Sequence, residues 1–149
     1  MSEAQKLQLR VKYKDGVEPM VRAHDGEWFD LRAARHYSIV KGDLVKIDLG
    51  IAIELPAGYE AIIRPRSSTA ENYGILMACS GVIDNRYNGD NDWWNFGAYA
   101  IRSCEINQND RICQFRIVPQ QPSDLQLNIQ TVLKLGNEDR GGFGSTGRR

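Results

Sequence analysis

The sequence predicts an all-β protein, a jelly-roll-like β-sandwich or barrel with at most one short helix and a flexible glycine-rich C-terminal tail. Apolar and polar residues alternate in several short segments, which is the pattern of half-buried strands. Gly, Pro, Asn and Asp separate these segments about every eight to twelve residues, as in sandwiches and barrels. No long window carries apolar residues at helical spacing, so long helices are not expected.

The predicted strands follow one another along the chain. Alternation begins at Leu7, Leu9, Val11 and Tyr13 and returns at residues 45–49 and 125–129. Further β-rich segments cover residues 59–63, 81–83, 94–101 and 111–118. One short helix is predicted over residues 67–73, where a serine or threonine can cap the first turn.

The composition is that of one globular domain. The chain has 149 residues, and 19 basic residues balance 19 acidic ones, so broad binding to a nucleic-acid backbone is not expected. Short apolar runs and the polar start MSEAQKLQLR argue against a membrane span and a secretory signal. Three cysteines without a CxxC pair fit reduced thiols in the cytoplasm. We expect a β-domain at residues 1–135 and a mobile tail at residues 136–149.

The segment GVIDNRYNGD, residues 81–90, is the first candidate for chemistry. Asn88-Gly89 is a strong signal for a β-hairpin turn with strands on both sides. Asp84 is then predicted on one face of the first strand and Asn85 on the other, with Tyr87 at the turn. Taken alone, the pattern fits an ordinary solvated hairpin as well as a functional carboxylate.

Two other segments are rich in groups that bind anions. PRSSTAENYG places Arg66 just before the predicted helix and Ser67 and Ser68 at its start, and a guanidinium with helix amides favours a phosphate. N-capping by a serine explains this segment equally well. In RGGFGSTG, glycines let backbone amides approach a phosphate, and Phe143 suits stacking on a flat ring. A frayed terminus is the alternative.

Asp30 and Gln114 are polar residues in apolar surroundings. Asp30 lies between Phe29 and Leu31, where a carboxylate at a strand end either holds hydrated Mg²⁺ or serves a turn. Gln114 lies in DRICQFRI, a predicted buried strand. A buried amide needs hydrogen-bond partners, so Gln114 is a candidate for a specific contact.

In this order, FDLRAA, PRSS, GVIDNRYNGD, DRICQF and RGGFGSTG resemble the five motifs of the trimeric dUTP pyrophosphatases, the dUTPases. The motifs span most of the chain, from Phe29 to Gly147. The resemblance implies a jelly-roll subunit, a homotrimer with three active sites at subunit interfaces, and Mg²⁺-dependent hydrolysis of dUTP to dUMP and pyrophosphate. That reaction limits uracil incorporation into DNA and supplies dUMP for dTMP synthesis.

The resemblance also implies roles for individual positions. Asp84 matches the general base that orients a water molecule, and Tyr87 matches the aromatic residue beneath the deoxyribose. Gly81 and Ile83 match backbone positions that pair with uracil, and Asp30 matches the residue that supports Mg²⁺ through water. The phosphate-facing positions are Arg66, Ser67, Ser68 and Gln114, and the tail positions are Arg140, Phe143, which closes over uracil, Gly144, Ser145, Thr146 and Gly147.

The chain departs from the usual family pattern in several places. Arg140 stands two residues nearer to Phe143 than in the common RGxGGFG, and Ser68 replaces a usual glycine. Residues 90–100, DNDWWNFGAYA, resemble the corresponding segment in the branch of dUTPases found in Gram-positive bacteria and their phages. Core packing is the expected role of the two tryptophans, Trp93 and Trp94.

Two other functions stay open from the sequence. A dCTP deaminase shares the fold implied by the resemblance, but it needs a glutamate on the strand that follows the hairpin, where this chain has Trp93, Trp94 and Asn95. A zinc deaminase is excluded, because H-x-E with P-C-x-x-C is missing. The other alternative is a dUTPase that also binds a regulatory protein partner.

Overall fold

The computed structural model describes residues 6–22 and 27–142. It confirms the predicted all-β fold with one short helix. The strands are β1 (Arg10–Tyr13), β2 (Val21–Arg22), β3 (Phe29–Arg32), β4 (Tyr37–Ile39), β5 (Leu44–Asp48), β6 (Ile51–Glu54), β7 (Tyr59–Pro65), β8 (Ile75–Met77), β9 (Val82–Ile83), β10 (Asn95–Ala100), β11 (Cys104–Ile106) and β12 (Arg111–Pro119), and the helix is α1 (Thr69–Tyr73).

The strands form antiparallel sheets around one core. The largest sheet has the order β2-β3-β12-β7-β9, and a second has the order β5-β10-β8. Strands β1 and β6 form one two-stranded sheet, and β4 and β11 form another. In β12 the register shifts between Arg111 and Cys113, which allows the consecutive residues Ile112 and Cys113 both to be buried.

The core joins the two larger sheets through aromatic side chains. Trp94 meets Phe115 of β12 edge to face, with ring centroids 5.3 Å apart, a geometry that aromatic pairs prefer. Neither side chain is more than 1% exposed. Core packing, predicted for both tryptophans, is therefore confirmed for Trp94.

Helix α1 is shorter than predicted. Ser68 is its N-cap residue but makes no side-chain capping hydrogen bond. Instead, the buried Thr69 hydroxyl accepts the Arg66 backbone N–H and donates to the Ile112 carbonyl, both at 2.8 Å. Ser68 thus takes the predicted cap position, but the prediction that a serine hydroxyl bonds the first turn is wrong. Within the described residues, no helix has the length and apolarity needed to cross a membrane.

The predicted hairpin turn at Asn88-Gly89 is wrong. Gly89 does not adopt the positive φ that such a turn needs, and β9 pairs with β7 rather than with β10. Two other turns form here: Tyr87 N–H donates to the Asp84 carbonyl at 3.0 Å, and the Asp92 carboxylate accepts Gly89 N–H at 2.8 Å. We call residues 84–94 the Asp84 loop.

The strand predicted over residues 125–129 is also wrong. No strand or helix is found over residues 120–142, and Leu125, Leu127 and Ile129 are 47%, 68% and 85% exposed. A half-buried strand needs a neighbouring strand, and none pairs with this segment in the described part of the chain. The described residues of one chain therefore leave the apolar side chains of this segment unburied.

Candidate active site

A cavity of about 380 Å³ lies beside the Asp84 loop. Three residues predicted from the sequence, Ile83, Asp84 and Tyr87, line it together. Apolar and aromatic walls with one carboxylate suit a flat organic ligand that carries a reactive group. The other lining residues are Lys46, Cys79, Val82, Trp93, Trp94, Asn95 and Gly97.

The Asp84 carboxylate is oriented by its own turn. Its Oδ1 accepts the Arg86 backbone N–H at 2.9 Å, and its Oδ2 lies 3.9 Å from an Arg86 guanidinium that is itself 92% exposed. The Asp84 side chain is 63% exposed, so the carboxylate is accessible to water. Such a group can accept a proton from a water molecule.

Tyr87 is held by a contact that sequence reasoning missed. Its hydroxyl donates to the Trp93 carbonyl at 2.9 Å, and Lys12 and Lys14 place their ammonium groups 5.2 and 4.9 Å from the Trp93 ring centroid. Lys14 also pairs with Asp48 at 2.5 Å. Trp93 is half-buried and lines the cavity, so the prediction of core packing is wrong for Trp93.

Gly81 allows β9 to approach β7 closely. Its φ is +72°, and a Cβ there would collide with the Ile63 carbonyl and the Met77 side chain. The Gly81 carbonyl accepts Ile63 N–H at 2.6 Å, and Ile83 pairs with Ala61. The two predicted uracil-binding positions are therefore fixed against the edge of the large sheet.

A second group of predicted residues surrounds a buried carboxylate. Asp30 is 1% exposed, and its Oδ1 and Oδ2 lie 3.3 Å from Arg66 Nε and 3.2 Å from Arg111 Nη1. Arg66 Nη1 also donates to the Arg111 carbonyl at 3.2 Å. Since a guanidinium has five N–H donors, Arg66 keeps others for an anion. The sequence analysis did not identify Arg111 or Thr69, which help to hold this group.

The remaining phosphate-facing predictions lie near the same place. Ser67 is exposed and Ser68 half-buried in the turn before α1. Gln114 sits opposite Asp30 in the β3–β12 register, and its amide donates to the Pro65 carbonyl at 3.1 Å. The expected partner for this amide is thus present, and the residues collect at the C-terminal end of β7.

The two groups lie at opposite ends of β7. Ile83 pairs with Ala61 near the start of this strand, and Asp84 follows in the direction away from Arg66. At about 3.3 Å per residue, Asp84 and Arg66 are roughly 20 Å apart along the strand. One chain therefore does not bring the carboxylate and the arginine to one phosphate.

The described residues offer no cluster of three or more metal-ligating side chains. Asp30 Oδ1 has no hydrogen-bond donor, so it has a spare acceptor site for a metal-bound water, although both of its oxygens face guanidinium groups. Mg²⁺ commonly uses one or two carboxylates together with substrate phosphates and water. The residues present fit an ion that arrives with phosphates, and Asp30 contact with it stays a prediction.

The predicted tail positions lie at the end of the described residues or beyond it. Arg140 is exposed, while Phe143, Gly144, Ser145, Thr146 and Gly147 lie outside the described residues.

A cavity of about 540 Å³ is lined by Phe29, Phe115, Arg116 and their neighbours. None of the predicted site residues lines it, so its size alone does not make it the active site.

Comparison with known proteins identifies the family. A family model for dUTPase matches residues 26–147. The SPbeta prophage-derived deoxyuridine 5'-triphosphate nucleotidohydrolase YosS of Bacillus subtilis is 47% identical over 145 residues, which cover 96% of this chain and 100% of that protein. The deoxyuridine 5'-triphosphate nucleotidohydrolase of Maricaulis maris is 38% identical, covering 95% and 97%. The chain belongs to the dUTPase family.

Solved structures of phage enzymes share the fold. A mutant dUTPase of Staphylococcus bacteriophage 80alpha with dUpNHpp has a TM-score of 0.73 at 19% identity, covering 94% of this chain and 98% of that chain. A mutant dUTPase from phage phi11 of S. aureus, described with a structural Mg(II) ion, has a TM-score of 0.72 at 17% identity, covering 83% and 97%. At these identities the likeness concerns the fold.

Proposed function

We propose that the protein hydrolyses dUTP to dUMP and pyrophosphate, with Asp84 as the general base. The observation that carries the proposal is the meeting of Ile83, Asp84 and Tyr87 at one cavity of about 380 Å³. Membership of the dUTPase family and relatives named as deoxyuridine triphosphate nucleotidohydrolases support the same substrate.

Uracil recognition rests on backbone groups of Gly81 and Ile83. These residues are fixed by the contact with β7, so their donors and acceptors keep one arrangement. Cytosine exchanges a donor for an acceptor, and an unpaired buried polar group is costly. Tyr87 lies beneath the deoxyribose, where its ring leaves no room for a 2′-hydroxyl.

The phosphates are bound by Arg66, Ser67, Ser68 and Gln114 of a second copy. The separation of roughly 20 Å between Asp84 and Arg66 along β7 supports this arrangement, because a triphosphate is much shorter. The exposed apolar residues Leu125, Leu127 and Ile129 also support association, since the described part of one chain leaves them 47–85% exposed. A closed homotrimer with sites between subunits satisfies both observations.

The chemistry requires a positioned water molecule and neutralised phosphate charge. Asp84 orients the water for attack on the α-phosphorus and takes its proton, and pyrophosphate leaves. Arg66 neutralises charge on the phosphates, and Asp30 keeps its guanidinium in place. Mg²⁺, when bound with the phosphates, supplies further charge neutralisation. Phe143 covers the uracil, while Arg140, Gly144, Ser145 and Thr146 exclude water near the phosphates.

The alternatives have weaker support. Strand β10 carries NFGAYA, without the carboxylate that a dCTP deaminase needs, and the relatives named above are dUTP nucleotidohydrolases. The description of one neighbouring structure says that phage dUTPases control transfer of virulence genes. For this reason, binding of a regulatory protein partner is kept as a second proposed function for this chain. Cytoplasmic localisation stays a prediction that rests on three free cysteines.

Incubation of the purified protein with each deoxynucleoside triphosphate and Mg²⁺ tests the proposal. Release of pyrophosphate and ammonia is followed in parallel, with Asp84→Asn as the control. Pyrophosphate from dUTP alone is expected, with a rate lower by roughly 10²–10⁴ in the variant. Ammonia from dCTP, or normal turnover by Asp84→Asn, would contradict it.

A further inference from the structure

The Asp84 loop has little support from the sheets. Strand β9 contributes two residue pairs to β7, Ala61 with Ile83 and Ile62 with Val82. The next strand, β10, begins only at Asn95. The position of the Asp84 carboxylate therefore depends on side-chain contacts that tie the loop to the body of the protein.

Asn85 makes such a contact on the side of the β6–β7 turn. Its Nδ2 donates to the Pro56 carbonyl at 2.8 Å and to the Tyr59 carbonyl at 2.7 Å. Two carbonyl acceptors identify this atom as the amide nitrogen, because an amide oxygen there would face two oxygens. Both hydrogens of the amide group are thus used, and the side chain is half-buried.

The contact acts directly on the residue that precedes it. The Asn85 side chain is bonded to the β6–β7 turn, while the adjacent Asp84 side chain stays 63% exposed and lines the cavity. The Asp84 carbonyl and carboxylate in turn accept the N–H groups of Tyr87 and Arg86. The two hydrogen bonds of Asn85 therefore restrain the turn that sets the orientation of the Asp84 carboxylate.

We propose that Asn85 is a positioning residue for the reaction: its two hydrogen bonds to the 56–59 turn hold Asp84 in the direction needed to orient the water. This inference rests on the proposed function, since it assigns a role toward the base of that reaction. In this role Asn85 acts through Asp84 and not by contact with the substrate. Its loss should lower kcat and leave nucleotide binding nearly intact.

The test compares Asn85→Asp and Asn85→Ala with Asn88→Asp. Asn85→Asp keeps the shape but replaces the donors by an oxygen that repels both carbonyls, and Asn85→Ala removes the contact without adding charge. Asn88→Asp adds the same charge at an exposed position of the same loop. Both Asn85 variants should lose roughly 10–100-fold in kcat, because a small misplacement of a catalytic group is costly, and Asn88→Asp should remain near wild type.

Binding of a non-hydrolysable dUTP analogue and the melting temperature are measured beside kcat and KM. A second arm places Asn85→Asp in the Asp84→Asn background. Once the base is gone its direction no longer matters, so the additional loss there should be within about twofold. A merely structural role would give the same fractional loss in both backgrounds.

The outcomes separate the two claims. The positioning role is overturned, and the function stands, if the wild-type protein hydrolyses dUTP but the Asn85 variants keep kcat within about twofold of the wild-type value. The same holds if Asn85→Asp lowers kcat by the same factor in the Asp84→Asn background as in the wild-type background. If the wild-type protein fails to hydrolyse dUTP, the proposed function is overturned and this inference falls with it. A loss of kcat that disappears in the Asp84→Asn background supports both.

Discussion

Arg66 Nε lies 3.3 Å from Oδ1 of Asp30, a carboxylate that is 1% exposed and faces Arg111 on its other side. A buried carboxylate between two arginines explains how one guanidinium can be aimed at a phosphate without moving away into water. Sequence reasoning identified Asp30 and Arg66 separately, as a metal-supporting and a phosphate-facing residue. Their direct contact gives Asp30 a second role, the positioning of Arg66.

Asp30→Asn should therefore affect both stability and substrate binding. We expect the free energy of unfolding to fall by about 1–3 kcal/mol, less than for a fully buried ion pair because the Arg111 side chain is 46% exposed. KM for dUTP should rise as well, because Arg66 is no longer held. Glu54→Gln, which removes the exposed pair with Arg10, should cost less than about 1 kcal/mol. Equal urea denaturation midpoints for the two variants would argue against this account.

Selection of the sugar should depend on the Tyr87 ring. In Tyr87→Ala, the ratio of kcat/KM for UTP to that for dUTP should rise by roughly 10–100-fold, because the space beside C2′ opens. Tyr87→Phe is the matched control: it keeps the ring but loses the hydrogen bond to the Trp93 carbonyl, so its selectivity should stay near wild type. An unchanged ratio in Tyr87→Ala would remove Tyr87 from this role.

Cys79 offers a chemical probe of the cavity, because it is an exposed free thiol in the cavity wall. A bulky maleimide should attach to Cys79 and abolish dUTP hydrolysis, and a dUTP analogue should slow the attachment. Cys113 should not react, since burial raises the pKa of its thiol well above the usual range and the thiolate is the reactive form. Mass spectrometry of the labelled protein checks both sites. Continued inactivation of Cys79→Ser by the reagent would show that another residue is responsible.

Local patterns predicted the strands, and long-range contacts decided what the patterns left open. The alternation predicted in the segments of β1 and β5 reflects burial on one face of each strand, which is a property of the strand itself. Asn88-Gly89 is equally strong as a local signal, yet the turn did not form there, because β9 pairs with β7 and Asp92 bonds Gly89 N–H. Neither contact can be read from the dipeptide.

In the candidate site, too, local motifs and long-range contacts contributed different information. The sequence predicted Asp84, Tyr87, Arg66 and Gln114 because they lie in motifs that resemble those of the dUTPases. The contacts that hold these residues could not be predicted in the same way. The Trp93 carbonyl accepts the Tyr87 hydroxyl, and Trp93 is itself contacted by Lys12 of β1, which is distant in the chain. The segment 125–129 was predicted as a strand from its apolar alternation, but no strand of the described residues pairs with it, and its apolar side chains are exposed.

Removal of the tail should separate stability from activity. The last strand ends at Pro119, and residues 136–142 are exposed, so truncation after Leu135 removes no buried contact of the described chain. The melting temperature should stay nearly unchanged while dUTP hydrolysis falls sharply, because Phe143 and the phosphate-facing tail groups are lost. Phe143→Ala should show part of this loss, and Phe143→Trp should report closure by fluorescence quenching. A truncated protein as fast as the full chain would show that the tail is not a lid.

Mixing two inactive variants tests the central claim, that Asp84 of one copy acts on phosphates held by Arg66 of another. Asp84→Asn and Arg66→Ala are purified, unfolded together in equal amounts and refolded, and dUTP hydrolysis is measured against each variant treated alone. If sites form between copies, random assembly leaves about a quarter of them with both residues intact, so the mixture should recover about a quarter of wild-type activity. A mixture no more active than the average of the two separate variants would contradict the shared site.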